Sequence, residues 1–300
     1  MLKKFSLFFV FLAFSSFLFC QQPDSIHVKT YNKKLIPLIL TSEALIYTGS
    51  MIYLNEAWYK NYPRTSFHFF DDSKEWLQMD KTAHAFTSYH AANYGYLVFR
   101  QTGLDDSKAL AISSIQSCFF ISSIELFDGF SKGWGASLSD LTANFSGVGL
   151  FAAQQYFWNE QKILLKYSFS SSGLAGYRPD VLGRNLPEQL IKDYNAQTFW
   201  LSANLKSIFN LNKFPSWLNI ALGYGADGML TGHAGDAMQN SYFQLERKRQ
   251  YYFSLDLDLS RIKLKNKALK AVFRAINILK FPFPAVEISE KKFYFHPVFY

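Results

Sequence analysis

The hydrophobic period changes once along this 300-residue chain, near Gln161, and that change limits what the chain can fold into. Before it, apolar residues run in stretches of about twenty with helical spacing. After it, they alternate with polar ones. Residues 251–260 place Tyr251, Phe253, Leu255, Leu257 and Leu259 on one side, and Tyr252, Ser254, Asp256, Asp258 and Ser260 on the other. Period two is the mark of an antiparallel strand. Residues 163–170, 198–207, 217–226, 283–289 and 292–300 alternate or are β-rich in the same way, with a basic amphipathic helix at 267–279. The fold class that follows is α+β: an N-terminal α-helical bundle and a C-terminal antiparallel β-rich region.

Three segments are expected. Residues 1–20 form a signal peptide: Lys3 and Lys4, then an apolar run from Phe5 to Phe19 that is short for a bilayer span and is broken by Gln21, Gln22 and Pro23. Cys20 is either a lipidated residue or the end of an ordinary cleavage site, since the bulky Phe19 weakens the lipobox; an uncleaved anchor is a third reading. Residues 21–160 form the helical bundle domain and residues 161–300 a basic, aromatic β-rich domain. Helices are expected at 35–58, from Asp80 to about Arg100, from Asp106 to Phe127, and from a cap at Ser137 or Ser139 to Trp158. Small residues recur along them (Ala83, Ser88, Ala92, Gly95; Ser113, Ser117; Ala143, Gly147), which permits close helix approach, as in membrane bundles. Mean hydropathy is only −0.04, so a bundle buried in a water-soluble domain and a transmembrane bundle both fit.

The two halves differ in charge. Residues 21–160 carry 10 basic and 13 acidic side chains, whereas residues 161–300 carry 19 basic and 10 acidic. A basic, aromatic half in an exported chain points to membrane lipid or another anionic envelope polymer as partner, and the export signal argues against nucleic acid. Aromatic content of 18% fits an interfacial surface. The terminus Phe293–Tyr300 alternates and ends on an aromatic, like the closing strand of an outer-membrane barrel. About six strands fall short of the usual eight, so a sheet lying against a membrane, or packed on the helical half, competes with a barrel. Cys118 is alone in the mature chain, which excludes an internal disulfide framework.

Charged groups on an apolar helix face must pair, bind metal or do chemistry. Asp80 and His84 share a helix face, as do Glu125 and Asp128, and Asp140 and Asn144. If these helix ends meet, Asp80, His84, Glu125 and Asp140 could run acid–base catalysis, and His84, Glu125, Asp128 and Asp140 could hold a divalent metal. The competing reading is a structural polar cluster completed by Lys81, Asp128, Ser139, Asn144 and Gly147. In that reading Asp80 and Asp140 cap helices, His84 bonds to Asp128 or Asp140, and Lys81 neutralises the carboxylates.

The strings Met79-Asp80-Lys81-Thr82-Ala83-His84 and Ser139-Asp140-Leu141-Thr142-Ala143-Asn144 with Gly147, joined by Glu125 and Asp128, resemble the YfiM-type family of predicted periplasmic lipoproteins. More distantly they are similar to VanZ-like membrane proteins. The resemblance covers roughly residues 75–158, and Tyr177-Arg178-Pro179 and Lys192–Thr198 are similar to the longer members. It implies location and architecture; the family has no established activity. The expectation is an exported envelope protein of the periplasm or outer membrane, structural or lipid-contacting. The alternative is an envelope hydrolase or transferase acting on lipid or glycan through the polar constellation.

Overall fold

A computed structural model describes residues 32, 34–57, 60, 62–236 and 245–300. The signal segment and Cys20 lie outside the described residues. Eight α-helices and a six-stranded antiparallel sheet are present among them, so the α+β expectation holds. Two compact units form: residues 1–73 with 87–161, and residues 74–86 with 162–300.

The first unit is helical: α1 (Leu35–Ala57), most of α2 (Met79–Gln101), α3 (Asp106–Asp128) and α4 (Leu138–Trp158). Each helix was expected from the sequence to within a residue or two. Asp105 caps α3 by accepting from the Lys108 amide, and Ser137 caps α4 by accepting from the Asp140 amide. Burial in this unit follows size more than polarity. The buried positions of α3 are Ala109, Ser113, Ser117 and Glu125, while Ile115 and Phe119 on the same helix are exposed. On α4 the inward face is Asp140, Asn144, Gly147, Val148, Phe151, Gln154 and Gln155, and Leu138, Phe145, Tyr156 and Phe157 point outward. Small residues bring α2 and α3 together: a Cβ on Gly95 would stand 3.2 Å from the Ser113 Cβ, and Ser117 Oγ donates to the Ser88 carbonyl at 3.1 Å. Polar pairs tie α1 to α3, with Gln116 donating to Glu43 at 2.7 Å and Tyr47 bonded to Ser123 at 2.6 Å. α1 and α3 are each long and apolar enough to cross a membrane, both with mean hydropathy 1.5.

The second unit is the sheet, a meander in the order β1 (Ile163–Phe169), β2 (Gln197–Ala203), β3 (Leu218–Asp227), β4 (Lys248–Leu257), β5 (Phe283–Ser289) and β6 (Lys292–Phe299). Short helices α5 (Pro179–Leu182), α6 (Leu186–Lys192) and α7 (Leu205–Phe209) fill connections, and α8 (Lys267–Ile276) precedes β5. Residues 74–86, which sequence reasoning assigns to the helical half, pack here: Met79 is buried with Tyr167, Phe199, Ala226 and Met229, and Ala83 and Phe86 pack against them.

Away from the part of one face that residues 74–86 cover, the sheet turns apolar side chains outward. Its register lines up Leu165, Leu201, Leu222, Phe253, Val286 and Phe295 in one row across all six strands. Five of these are exposed, from 36% for Val286 to 68% for Phe295. The opposite face holds a buried polar network. Lys166 and Asp256, both fully buried, pair at 2.8 Å. Ser202 Oγ donates to Asp256 at 2.6 Å, the Phe281 amide donates to it at 3.0 Å, and Asn219 donates to Ser202 at 2.9 Å. Side chains of β2, β4 and β6 meet on this face, with Phe299 4.5 Å from the Tyr252 ring and 5.7 Å from Trp200, so the sheet is strongly curled. The outer edge of β1 is occupied by residues 278–280: the Tyr167 amide donates to the Ile278 carbonyl and the Lys280 amide to the Tyr167 carbonyl.

Candidate functional site

The start of α2 carries the first polar group. Asp80 and His84 are one turn apart, and their side chains stand 3.7 Å apart, His84 Nε2 to Asp80 Oδ1. Tyr194 Oη donates to Asp80 Oδ1 at 2.5 Å, and Lys81 Nζ donates to Asp80 Oδ2 at 2.9 Å. Burial alone would raise the Asp80 carboxyl. Charged His84, Lys81 and the Tyr194 hydroxyl outweigh it and hold the group below its ordinary value. Asp80 is therefore an anion that accepts from Tyr194 and Lys81, with His84 at ion-pair distance, and not a proton donor near neutrality. It sits in the first turn of α2 without capping it; its oxygens go to side chains. Tyr194 is a member that sequence reasoning did not single out as chemical, although it lies in the Lys192–Thr198 string.

The second polar group lies in the helical unit, where α3 hands over to α4. The Ser137 amide donates to Glu125 Oε2 at 3.1 Å, and Ser137 Oγ accepts from the Asp140 amide at 3.1 Å. Ser137 Oγ and Ser139 Oγ both donate to Asp72 Oδ1, at 2.5 and 2.7 Å. Glu125, Asp140 and Asn144 are buried and Asp128 is partly so; the Asp128 carbonyl accepts the Ser131 amide at the turn after α3. Gly147 lies on the same inward face of α4 as Asp140 and Asn144. A closely packed loop supports this junction, since a Cβ on Gly129 or Gly133 would fall 2.3 or 2.4 Å from the rings of Phe67 and Tyr62. Asp72 is the other member missed by sequence reasoning. Its only signal was a second acid beside Asp71, in a segment that reads as solvated loop.

Of the expected constellation, Asp80, Lys81 and His84 belong to the sheet unit, and Glu125, Asp128, Ser139, Asp140, Asn144 and Gly147 to the helical unit. The carboxylates of Asp80, Glu125 and Asp72 accept from hydroxyl, ammonium or amide donors.

Residues 68–157 match the family model described as predicted periplasmic lipoprotein (DUF2279). The resemblance drawn from the Asp80–His84 and Ser139–Gly147 strings is borne out over this stretch, and a link to VanZ-like proteins is not shown. No curated protein and no solved structure matches the chain. The chain is an exported protein of the cell envelope, and the family description agrees with a lipid anchor at Cys20.

Proposed function

We propose that this chain is a structural, lipid-contacting protein associated with the outer membrane, held at its lipid surface by the outward apolar rows of its sheet. The observation that carries this reading is the row Leu201–Leu222–Phe253–Val286–Phe295, exposed while Lys166 and Asp256 are buried. In water such a face leaves large apolar area hydrated; against acyl chains the loss disappears. The polar networks of Asp80 and of Asp72–Ser137–Glu125 then serve to fix packing.

The test is flotation of the full chain with neutral phosphatidylcholine vesicles. Leu222→Asp and Phe253→Asp each remove a side chain worth about 1.5–3 kcal/mol of burial, so binding should fall at least about tenfold. Melting temperature should hold, because both positions are exposed. Wild-type binding in both variants would dismiss the reading.

The alternative is an envelope hydrolase or transferase acting on lipid or glycan, supported by the adjacent Asp80–His84 pair. Metal analysis of wild type and His84→Ala decides it. Stoichiometric metal lost in the variant brings the enzyme reading forward; a lower melting temperature without metal leaves the structural one.

A further inference from the structure

Arg247, Lys248, Arg249 and Lys291 converge on one cleft of about 410 Å³ in the sheet unit, beside Tyr251 and Ile288, with Glu290 the acid that also lines it. The first three open β4, and Lys291 sits in the two-residue turn between β5 and β6. From this basic end the outer apolar face begins at once. Tyr251 pairs with Ile288 in register, Ile288 with Phe293, and the next exposed row holds Phe253, Val286 and Phe295. Continuing along β4 from Tyr251 to Leu255 adds roughly 14 Å of strand.

Neighbouring groups hold the cations in place. Arg247 donates to the Thr231 and Gly232 carbonyls, at 3.2 and 2.8 Å, which position it without supplying charge; its buried Nε has no hydrogen-bond partner among the described residues. Arg249 donates to the amide oxygen of Gln78, again a neutral acceptor. Lys248 faces Asp227 at 3.4 Å. The cleft lining itself carries four cations and one acid, Glu290; behind it Arg247 also feels Glu75 and Asp236, and Lys248 faces Asp227, which leaves Arg249 and Lys291 as the cations beside the start of the apolar rows.

We infer that this cleft binds the phosphate of an anionic phospholipid, whose acyl chains lie on the Tyr251–Ile288 and Phe253–Val286 rows. The inference rests on the lipid-contacting reading above and adds headgroup selection to it. Guanidinium groups suit phosphate oxygens, and the adjoining rows suit hydrocarbon. A free phosphate ion would use only the first half of this site.

The experiment is flotation of the full chain with pure phosphatidylcholine vesicles and with vesicles doped with phosphatidylglycerol, each with and without excess inorganic phosphate. Wild type should prefer the doped vesicles. Each cation removed should weaken that preference about fivefold. Arg249→Gln with Lys291→Gln should therefore lose most of it, with neutral-vesicle binding and melting temperature unchanged. Lys213→Gln with Lys265→Gln, which removes equal charge from exposed positions outside the cleft, should keep it. Should the first pair fail to fold, Lys291→Gln alone, in the exposed turn, gives the same test at about fivefold. Equal loss in both pairs would overturn the site in favour of diffuse charge, and full competition by inorganic phosphate would make it an ion site. Equal wild-type binding to both vesicle types would sink headgroup selection and leave the lipid reading standing. Absence of binding to either type would remove the lipid reading itself, and this inference with it.

Discussion

Asp256 is the point at which the inverted sheet can be tested. Its carboxylate receives Lys166 Nζ at 2.8 Å, Ser202 Oγ at 2.6 Å and the Phe281 amide at 3.0 Å, with both charged partners at 0% exposure. Asp256→Ala strands a buried ammonium whose remaining acceptors are neutral, the Leu257 carbonyl at 2.6 Å and the Asn277 amide oxygen at 3.1 Å. Removing one partner of such a pair costs about 3–5 kcal/mol. Replacing both, as Lys166→Met with Asp256→Leu, removes the uncompensated charge. What remains is the lost acceptor for Ser202 and for the Phe281 amide, about 1 kcal/mol each. The double variant should therefore lie about 2 kcal/mol below wild type and above the single variant. Denaturation of the full chain in nonionic detergent reports this through Trp200, which is buried on the same face with Lys280 Nζ 5.0 Å above its ring. A loss below about 1 kcal/mol for Asp256→Ala would mean that water solvates Lys166. The inward face would then be a wet lumen, and the argument from a dry polar core would fail.

Two pH effects follow from the same kind of accounting. Asp80 is held below its ordinary value, so its contribution is present above about pH 4 and is lost as pH falls through the lowered folded value. Tyr194→Phe removes one stabilising donor, so the acid limb of a melting-temperature profile should start at higher pH; superimposable limbs would show that Tyr194 does not hold Asp80. Lys280 is pushed down to about 8 by burial and by Lys166, against the pull of Asp256. Its neutral form is favoured in the fold while the unfolded chain keeps the proton up to about 10.5, so stability should rise between those values, by at most about 3.4 kcal/mol and by less once solvent screening is counted. Lys280→Met should flatten that rise, and an unchanged alkaline limb in the variant would refute the assignment.

Local patterning carried most of the architecture. Apolar runs and caps located α1 to α4, and alternation located all six strands, because both periods are local properties of the backbone. Alternation also separated Tyr251, Phe253 and Leu255 from Tyr252, Ser254 and Asp256, but period two says only that there are two faces, not which one is wet. That was decided by partners far along the chain: Lys166 reaches Asp256 across 90 residues of sequence. The partners of the polar groups were hidden for the same reason. Tyr194 meets Asp80 and Asp72 meets Ser139 through long-range packing, and neither pairing has a spacing rule. The 74–86 segment carries the helical motif Asp80–His84, yet Met79, Ala83 and Phe86 supply the apolar contacts that join it to the sheet.

Each unit taken alone has the burial pattern expected when the surrounding medium is hydrocarbon. In the helical unit, Ser113, Ser117, Asn144 and Gln154 point inward, and α1 and α3 join through Glu43–Gln116 and Tyr47–Ser123. Where lipid surrounds such helices, hydrophobic burial no longer drives their association; close approach of small residues and interhelical hydrogen bonds take over, and both are present here. In the sheet unit the edges limit how deep such contact can go. The β1 edge is covered by residues 278–280, whereas β6 pairs on one side only among the described residues. An unpaired row of amides and carbonyls cannot enter hydrocarbon without losing several kcal/mol per group. As a single copy, the sheet can therefore lay its apolar face against acyl chains only while the outer edge of β6 stays in water. On the lipid-contacting reading proposed above, the Glu290–Lys291 turn and the basic cleft beside it would then lie at the level of the headgroups.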